Sequence, residues 1–411
     1  MSLNEQTLHH IWQQLSTFNR ESAQPGLTRL AYSLEDEAAL QFIRELAIKQ
    51  GFEVRQDAVG NLFIRLPGRN RYLPAVGTGS HLDSVPQGGH YDGIVGVLCG
   101  LYALNQFSSG QLNRDLELIV FRCEESSRFG LSCLGSKSLF AEHDHTQWAL
   151  AKDNEGIDFF QAVQAAGYSI NHIKQNHLAD DYFSAFIEVH IEQGQTLEIN
   201  QKQIGIVTGI AAPTRYRVDI HGHAAHSGAT PMTHRQDALV SAAEIILQVK
   251  QLAEQESIYS TVATVGKLIV SPNSMNVIPG HVQLFIDIRG IDIQSIHRLD
   301  QQLAQLFAHL NDQKIVKIDL LRLSHELPLL LDQDIQHLLK QQCENRQTQY
   351  MLLPSGAGHD AMNMAKHYPT GMIFIPSKGG ISHHHEEYSQ WQDIMLSAQL
   401  LTNTLAELAS C

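Results

Sequence analysis

Cysteine is scarce and unpatterned in this sequence. The 411 residues contain five, Cys99, Cys123, Cys133, Cys343 and Cys411. They are odd in number, scattered and form no C-x-x-C pair, so neither a disulfide framework nor a thiolate zinc site is indicated, and a reducing cytoplasm is expected. Basic charge is short as well: 29 Lys and Arg stand against 43 Asp and Glu, a formal net charge of −14. With no run of Lys or Arg, nucleic acid and anionic membranes are excluded as partners. The longest apolar stretch, Ile94 to Leu104, falls far short of the ~20 residues that span a bilayer. The opening MSLNEQTLHHIWQQL lacks the basic start and apolar core of a signal peptide. No phosphate loop, dinucleotide fingerprint, internal repeat or low-complexity tract occurs.

What remains is a folded globular chain, since 43% hydrophobic and 18% charged residues exclude disorder as a whole-chain reading. At about 150 residues per domain, the length suggests two to three domains or one large domain with an insertion. The 23 histidines are roughly double average usage. Most of them, including His9, His10, His143, His145, His172 and His177, have polar, aperiodic neighbours and read as background.

Helical periodicity covers residues 4–18 and 35–50, after which short β-branched or aromatic runs alternate with longer helical stretches, as in an α/β protein. Candidate strands are Leu73 to Gly77, Leu116 to Cys123, Phe183 to His190 and Met372 to Pro376, mostly continuous apolar runs of the kind buried on both faces of a sheet. From about Pro213 to Ser324 the pattern changes to strand (TRYRVDIHG), helix (Arg235 to Gln255), strand (TVATVGKLIV), strand (HVQLFIDIRG), helix (Ile293 to Leu310) and strand (IVKIDLLRL). This β-α-β-β-α-β order predicts an inserted ferredoxin-like α+β domain over residues 212–325, within a first domain made of 1–211 and 326–411.

Ligands of open α/β sheets gather at the carboxyl ends of strands, and here each candidate strand runs into metal-binding residue types. GSHLDSV brings His81 and Asp83, YDGIVG brings Asp92, Glu124 and Glu125 follow the second strand, EVHIEQG holds His190, and GGISHHHEEYS holds His383. Buried together, so many carboxylates cannot all ionise without a cation. A pair of divalent ions resolves this. Nitrogen and oxygen ligands without thiolate suit Zn²⁺, with Mn²⁺, Co²⁺ or Ni²⁺ as alternatives.

These motifs, together with TRLAYS (Thr28 to Ser33), DAVGNLF (Asp57 to Phe63) and the terminal SH-x-x-x-E-Y, resemble the metal-dependent M20 amidohydrolase and peptidase superfamily. The resemblance runs through nearly the whole chain and is closest to the branch of N-carbamoyl-L-amino acid hydrolases and allantoate amidohydrolases. It implies a zinc-exopeptidase-like catalytic domain, with a mixed central sheet flanked by helices, and a dimerisation or lid function for the insertion. It implies that His81 and His190 hold one metal, Glu125 and His383 the other, and that Asp92 bridges both. Glu124 would be the general base and Asp83 would orient His81. His190 stands where the peptidase members carry an acidic residue, which favours the carbamoylase and allantoate branch. In the insertion, His226 would reach a partner subunit's active site as an oxyanion donor. Asn276 and Arg289 would grip a substrate carboxylate, and Gln193, Gly358 and His359 match further substrate contacts. His223, His384 and His385 receive no role from the resemblance, although the run of three histidines makes His384 a competitor for the metal.

The expected activity is therefore hydrolysis of the ureido C–N bond of N-carbamoyl-L-amino acids by a cytoplasmic, binuclear homodimer, giving amino acid, carbon dioxide and ammonia. Allantoate satisfies the same contacts and is the alternative, with aminoacylase or dipeptidase activity behind it. A metal-binding carrier or sensor without chemistry would lack the base or the oxyanion donor, and Glu124 and His226 are both present.

Overall fold

The computed structural model describes residues 3–410 except 22, 141–144, 314 and 326. The readings made for His143, Cys411 and the boundary at 326 lie outside the described residues. The chain divides into two compact units, one of Met1–Thr208, Leu331–Leu353 and Gly358–Cys411, the other of Gly209–Leu330 and Pro354–Ala357.

The first unit is built on a mixed sheet whose strands lie in the order Glu53–Gln56, Leu62–Leu66, Leu116–Phe121, Ala75–His81, Phe183–Ile191, Thr370–Ile375 and Ile204–Ile210. Its middle is parallel: Ala75–His81 pairs in parallel with Leu116–Phe121 and with Phe183–Ile191, which pairs in parallel with Thr370–Ile375. The flanking pairs are antiparallel. The run LELIVF is buried at every position, as a strand covered on both faces requires. Helix Ile94–Asn105 is apolar on all sides and buries Ile94–Leu101 without a break, so it belongs inside the fold rather than on its surface.

The first central strand differs from its sequence reading. It begins at Ala75, not Leu73, and continues to His81. Pro74 has no N–H to offer a ladder, whereas the Ala75 N–H donates to Tyr182 O at 2.9 Å. Thr78 and Ser80 read as strand-ending polar residues, yet both are fully buried. Thr78 Oγ1 donates to Ile187 O at 2.7 Å and Ser80 Oγ to Glu188 Oε1 at 3.0 Å, so their hydroxyls are satisfied inside the core.

One charged group anchors this unit's interior. Arg122 is 1% exposed, pairs with Asp36 at 2.6 Å and with Glu37, and lies 4.5 Å above the Tyr32 ring. Removing one member of a buried pair strands the others, at a cost of about 3–5 kcal/mol. Arg122→Met is expected to lower unfolding stability by that amount in urea titration; a change below about 1 kcal/mol would show that the carboxylates relax to water.

The second unit has four antiparallel strands in the order Lys317–His325, Ala212–His221, His281–Gly290, Val262–Ser271. Burial alternates along His281–Gly290, with Val282, Leu284, Ile286 and Ile288 turned inward. Onto that face pack helices Ala238–Glu256 and Ile293–Asp312, through residues such as Ile245, Val249, Leu303 and Phe307. The first helix starts at Ala238 rather than Arg235 because Asp237 is its N-cap, accepting from the amides of Leu239 and Val240. A short ladder of Ala225–His226 with Val277–Ile278 also forms; two-residue strands carry no periodicity to read.

Candidate metal centre

The centre is assembled at the carboxyl ends of the parallel strands. His81 closes Ala75–His81, and His190 lies one residue before the end of Phe183–Ile191. Both rings are 1% exposed and anchored alike: His81 Nδ1 lies 3.0 Å from Asp83 O, and His190 Nδ1 lies 2.9 Å from Ile191 O. A carbonyl there requires an N–H on Nδ1, which leaves each Nε2 free to act as a ligand. Both Nε2 atoms face Asp92 Oδ1, at 3.6 Å for His81 and 2.9 Å for His190.

The other oxygen of Asp92 looks the opposite way. Its Oδ2 is 3.1 Å from Nε2 of the half-exposed His383, which also lies 3.3 Å from Glu125 Oε1. The ligand atoms of His81, Asp92 and His190 lie within 4.8 Å of one another, as do those of Asp92, Glu125 and His383. Two three-residue groups therefore share one carboxylate. Asp92 reaches this position because Gly93 follows with φ +66°, where a Cβ would stand 2.5 Å from the His81 ring. Only glycine allows both the backbone turn and the approach.

Glu124 stands beside the two groups. It is buried, with Oε2 3.8 Å from His81 Nε2 and Oε1 facing the Cys133 thiol at 3.3 Å. Asp83 meets His81 with two of its oxygens, its carboxylate Oδ1 lying 3.6 Å from the Nδ1 that its backbone oxygen contacts at 3.0 Å. The atom it hydrogen-bonds to His81 is its backbone oxygen, while its carboxylate accepts the amides of Glu124 at 3.2 Å and Glu125 at 3.1 Å. Asp83 thus fixes three functional residues at once.

The electrostatics are those of a site short of positive charge. Burial pushes Glu124 well above the usual carboxylate range, with Glu125, Asp360 and Asp83 adding to the effect, and burial raises Glu125 as well. Burial would raise Asp92 too, but the histidines turned toward it hold it well below the usual range. Asp92 and Glu125 push His383 up to about 11. Carboxylates and imidazoles are here each other's counter-ions, a role that a divalent cation fills better. Imidazole and carboxylate atoms at this spacing, with no thiolate among them, fit such an ion.

The remaining expected residues fall in several places. The Gln193 side-chain amide donates to Asp92 Oδ2 at 2.9 Å. Buried His359 meets the His190 ring edge-on at 4.5 Å, and burial beside His190 keeps it well below the usual histidine range. Gly358 precedes it with open space where a side chain would be. His384 and His385 are exposed, their rings 4.1 Å apart, and neither belongs to a group of ligand atoms among the described residues. His226, Asn276 and Arg289 are residues of the second unit. His226 is paired with Val277, and Asn276 O accepts the Ser227 amide at 3.0 Å. Arg289 donates to Asp287 at 3.1 Å and to Gly356 O at 2.8 Å.

Several residues of the centre carry no assignment from sequence. Cys133 is one of the scattered cysteines. Ser382 and Glu387 stand within SH-x-x-x-E-Y, of which only His383 is assigned, and Glu188, whose ligand atoms group with those of His190 and His359, stands within EVHIEQG.

Residues 77–407 match the family model described as Peptidase family M20/M25/M40. A ureidoglycolate hydrolase of Oryza sativa subsp. japonica is 37% identical over 405 residues, covering 96% of this chain and 83% of the relative. An N-carbamoyl-L-amino acid amidohydrolase of Geobacillus stearothermophilus is 33% identical over 403 residues, 97% of this chain and 98% of its own. Among solved structures, an amidase of the hydantoinase/carbamoylase family from Burkholderia multivorans superposes with a TM-score of 0.91 at 29% identity, covering 100% of this chain and 99% of that one.

Proposed function

The chain belongs to peptidase family M20/M25/M40, and on that premise we propose that it is a binuclear metal amidohydrolase cleaving the ureido C–N bond of a small carboxylate, N-carbamoyl-L-amino acids first. The observation that carries this reading is Asp92, with one oxygen turned to His81 and His190 and the other to His383, and Glu124 beside them in neither group. His81, Asp92, His190, Glu125 and His383 would hold two divalent ions, which when bound would supply an acidified water and Lewis-acid polarisation of the carbonyl.

The chain's own groups do the rest. Glu124 Oε2 accepts the proton of the attacking water and returns it to the leaving nitrogen. Its backbone amide is held by Asp83, which fixes the point from which the side chain reaches into the site. Hydrolysis releases the amine and a carbamic fragment that breaks down to carbon dioxide and ammonia. Arg289 and Asn276 are assigned to the substrate carboxylate, where a planar guanidinium binds bidentately, and Gln193, Gly358 and His359 to further contacts. His226 is assigned to the developing oxyanion, supplied by a second copy of the chain in a homodimer.

That last assignment has a direct check. Glu124→Ala and His226→Ala variants, each inactive alone, are expected to regain activity when mixed under subunit exchange, because one hybrid site then has both residues. Permanent inactivity of the mixture would place His226 in the site of its own chain.

Support for N-carbamoyl-L-amino acids comes from the carbamoylase relative, matched over 98% of its length, and from the carbamoylase-family amidase fold. The higher identity to a ureidoglycolate hydrolase favours a second reading, in which the substrate is a ureide such as ureidoglycolate or allantoate. Ammonia release from a panel of N-carbamoyl-L-amino acids, allantoate and ureidoglycolate, with and without chelator, separates them. Inactivity on all three, with cleavage of acyl amino acids or dipeptides, would overturn the ureido assignment.

A further inference from the structure

We propose that Glu387 is a positioning residue that sets two distant ligand segments in register and thereby governs occupancy of the divalent position formed by Asp92, Glu125 and His383. The inference rests on the binuclear reading above.

Glu387 follows His383 by four residues and is 4% exposed. Its Oε1 accepts two backbone amides, those of Tyr91 and Asp92, each at 3.0 Å. Its Oε2 accepts the Ser382 hydroxyl at 3.0 Å, and that hydroxyl lies 3.3 Å from Asp92 Oδ2. Ser382 directly precedes His383. A single carboxylate therefore holds the backbone of one proposed ligand and the residue before another, 295 positions apart in sequence at Asp92.

Three further features point the same way. A Cβ on Gly89 would stand 2.0 Å from Glu387 Oε1, so the loop before Asp92 closes over this carboxylate with no space left. His383 and Gln193, which both contact Asp92 Oδ2, have left-handed backbones, φ +56° and +58°, which non-glycine residues hold only where surrounding contacts fix them. Among the described residues Glu387 belongs to no group of ligand atoms, and both its oxygens are already occupied by donors. Its role is to place ligands, not to be one. Loss of partners of this kind lowers metal affinity by about 10–100-fold.

The test is a metal titration of the full chain after chelation, with Zn²⁺ and Mn²⁺ as probes, read by calorimetry and by metal content after desalting. Wild type is expected to retain two ions per chain. Glu387→Ala is expected to retain one, with its second binding constant weakened by about 10–100-fold. Glu387→Gln should bind both near wild-type strength, since an amide oxygen still accepts the two N–H groups and the NH₂ meets Ser382. Gly89→Ala should weaken the second ion as Glu387→Ala does. If Glu387→Ala does not fold, Ser382→Ala decides, and weakened second-site binding is expected of it. Two tightly held ions in Glu387→Ala, wild-type binding in Ser382→Ala, or equal loss in the Ala and Gln variants would each overturn the proposal. A wild-type chain that binds no divalent ion would instead overturn the binuclear reading.

Discussion

Replacing Glu124 by Gln is expected to lower kcat by about 10²–10⁴-fold, the usual worth of a positioned proton acceptor, while bound metal stays at the wild-type level. The carboxylate is buried and close to His81, yet among the described residues its atoms belong to none of the groups of closely spaced ligand atoms. An amide there removes a base without removing a ligand, and its size leaves the Asp83 contacts to the backbone untouched. Steady-state kinetics and metal content measured on one preparation provide the check. A variant that keeps more than a tenth of wild-type kcat, or one that has lost its metal, would remove Glu124 from the proton-transfer role.

Exhaustive chelation is expected to abolish turnover, and divalent ions to restore it, with Zn²⁺, Mn²⁺, Co²⁺ and Ni²⁺ compared side by side. Stability should follow occupancy, since an ion at a thousand times its Kd adds about 4 kcal/mol to the folded state. The protons give a second readout. In the metal-free chain, facing carboxylates raise His81, His190 and His383 above the usual histidine range, the last to about 11, so all three are shifted toward the protonated form. A ligand imidazole must be neutral. Binding therefore expels protons, and apparent affinity rises with pH and falls on acidification. Metal addition in weakly buffered solution at pH 7 should acidify the medium; no acidification would mean that the imidazoles are not ligands.

How much of this is readable in the sequence depends on whether the cause is local. The mixed α/β architecture is legible because runs such as LELIVF, apolar except for Glu117, alternate with helical stretches. Histidines and acids can be noticed because each follows such a run, and the structure brings His81, Asp92 and His190, and Asp92, Glu125 and His383, within ligand distance. The end of Ala75–His81 is misread because buried hydroxyls look like the end of a strand until their acceptors on Phe183–Ile191 are in view. Glu387 is silent for the same reason: its donors at Tyr91 and Asp92 lie nearly three hundred residues upstream. The role of Asp83 is blurred by a subtler limit. Residue type says what a carboxylate can do, but not that the atom within hydrogen-bond distance of the imidazole is the backbone oxygen.

The order in which the sheet of the first unit closes sets the order in which the centre can come into being. Phe183–Ile191 takes Thr370–Ile375 as its parallel neighbour, and nearly all of the second unit is translated between them. At about 5–20 residues per second, the nascent chain carries an unpaired strand edge for tens of seconds while the intervening four-stranded sheet completes itself. During that interval His81, Asp92 and His190 have already left the ribosome, whereas His383 and Glu387 have not been made. A stalled or truncated chain would thus own half a metal centre beside an exposed edge, the combination that invites pairing with another chain.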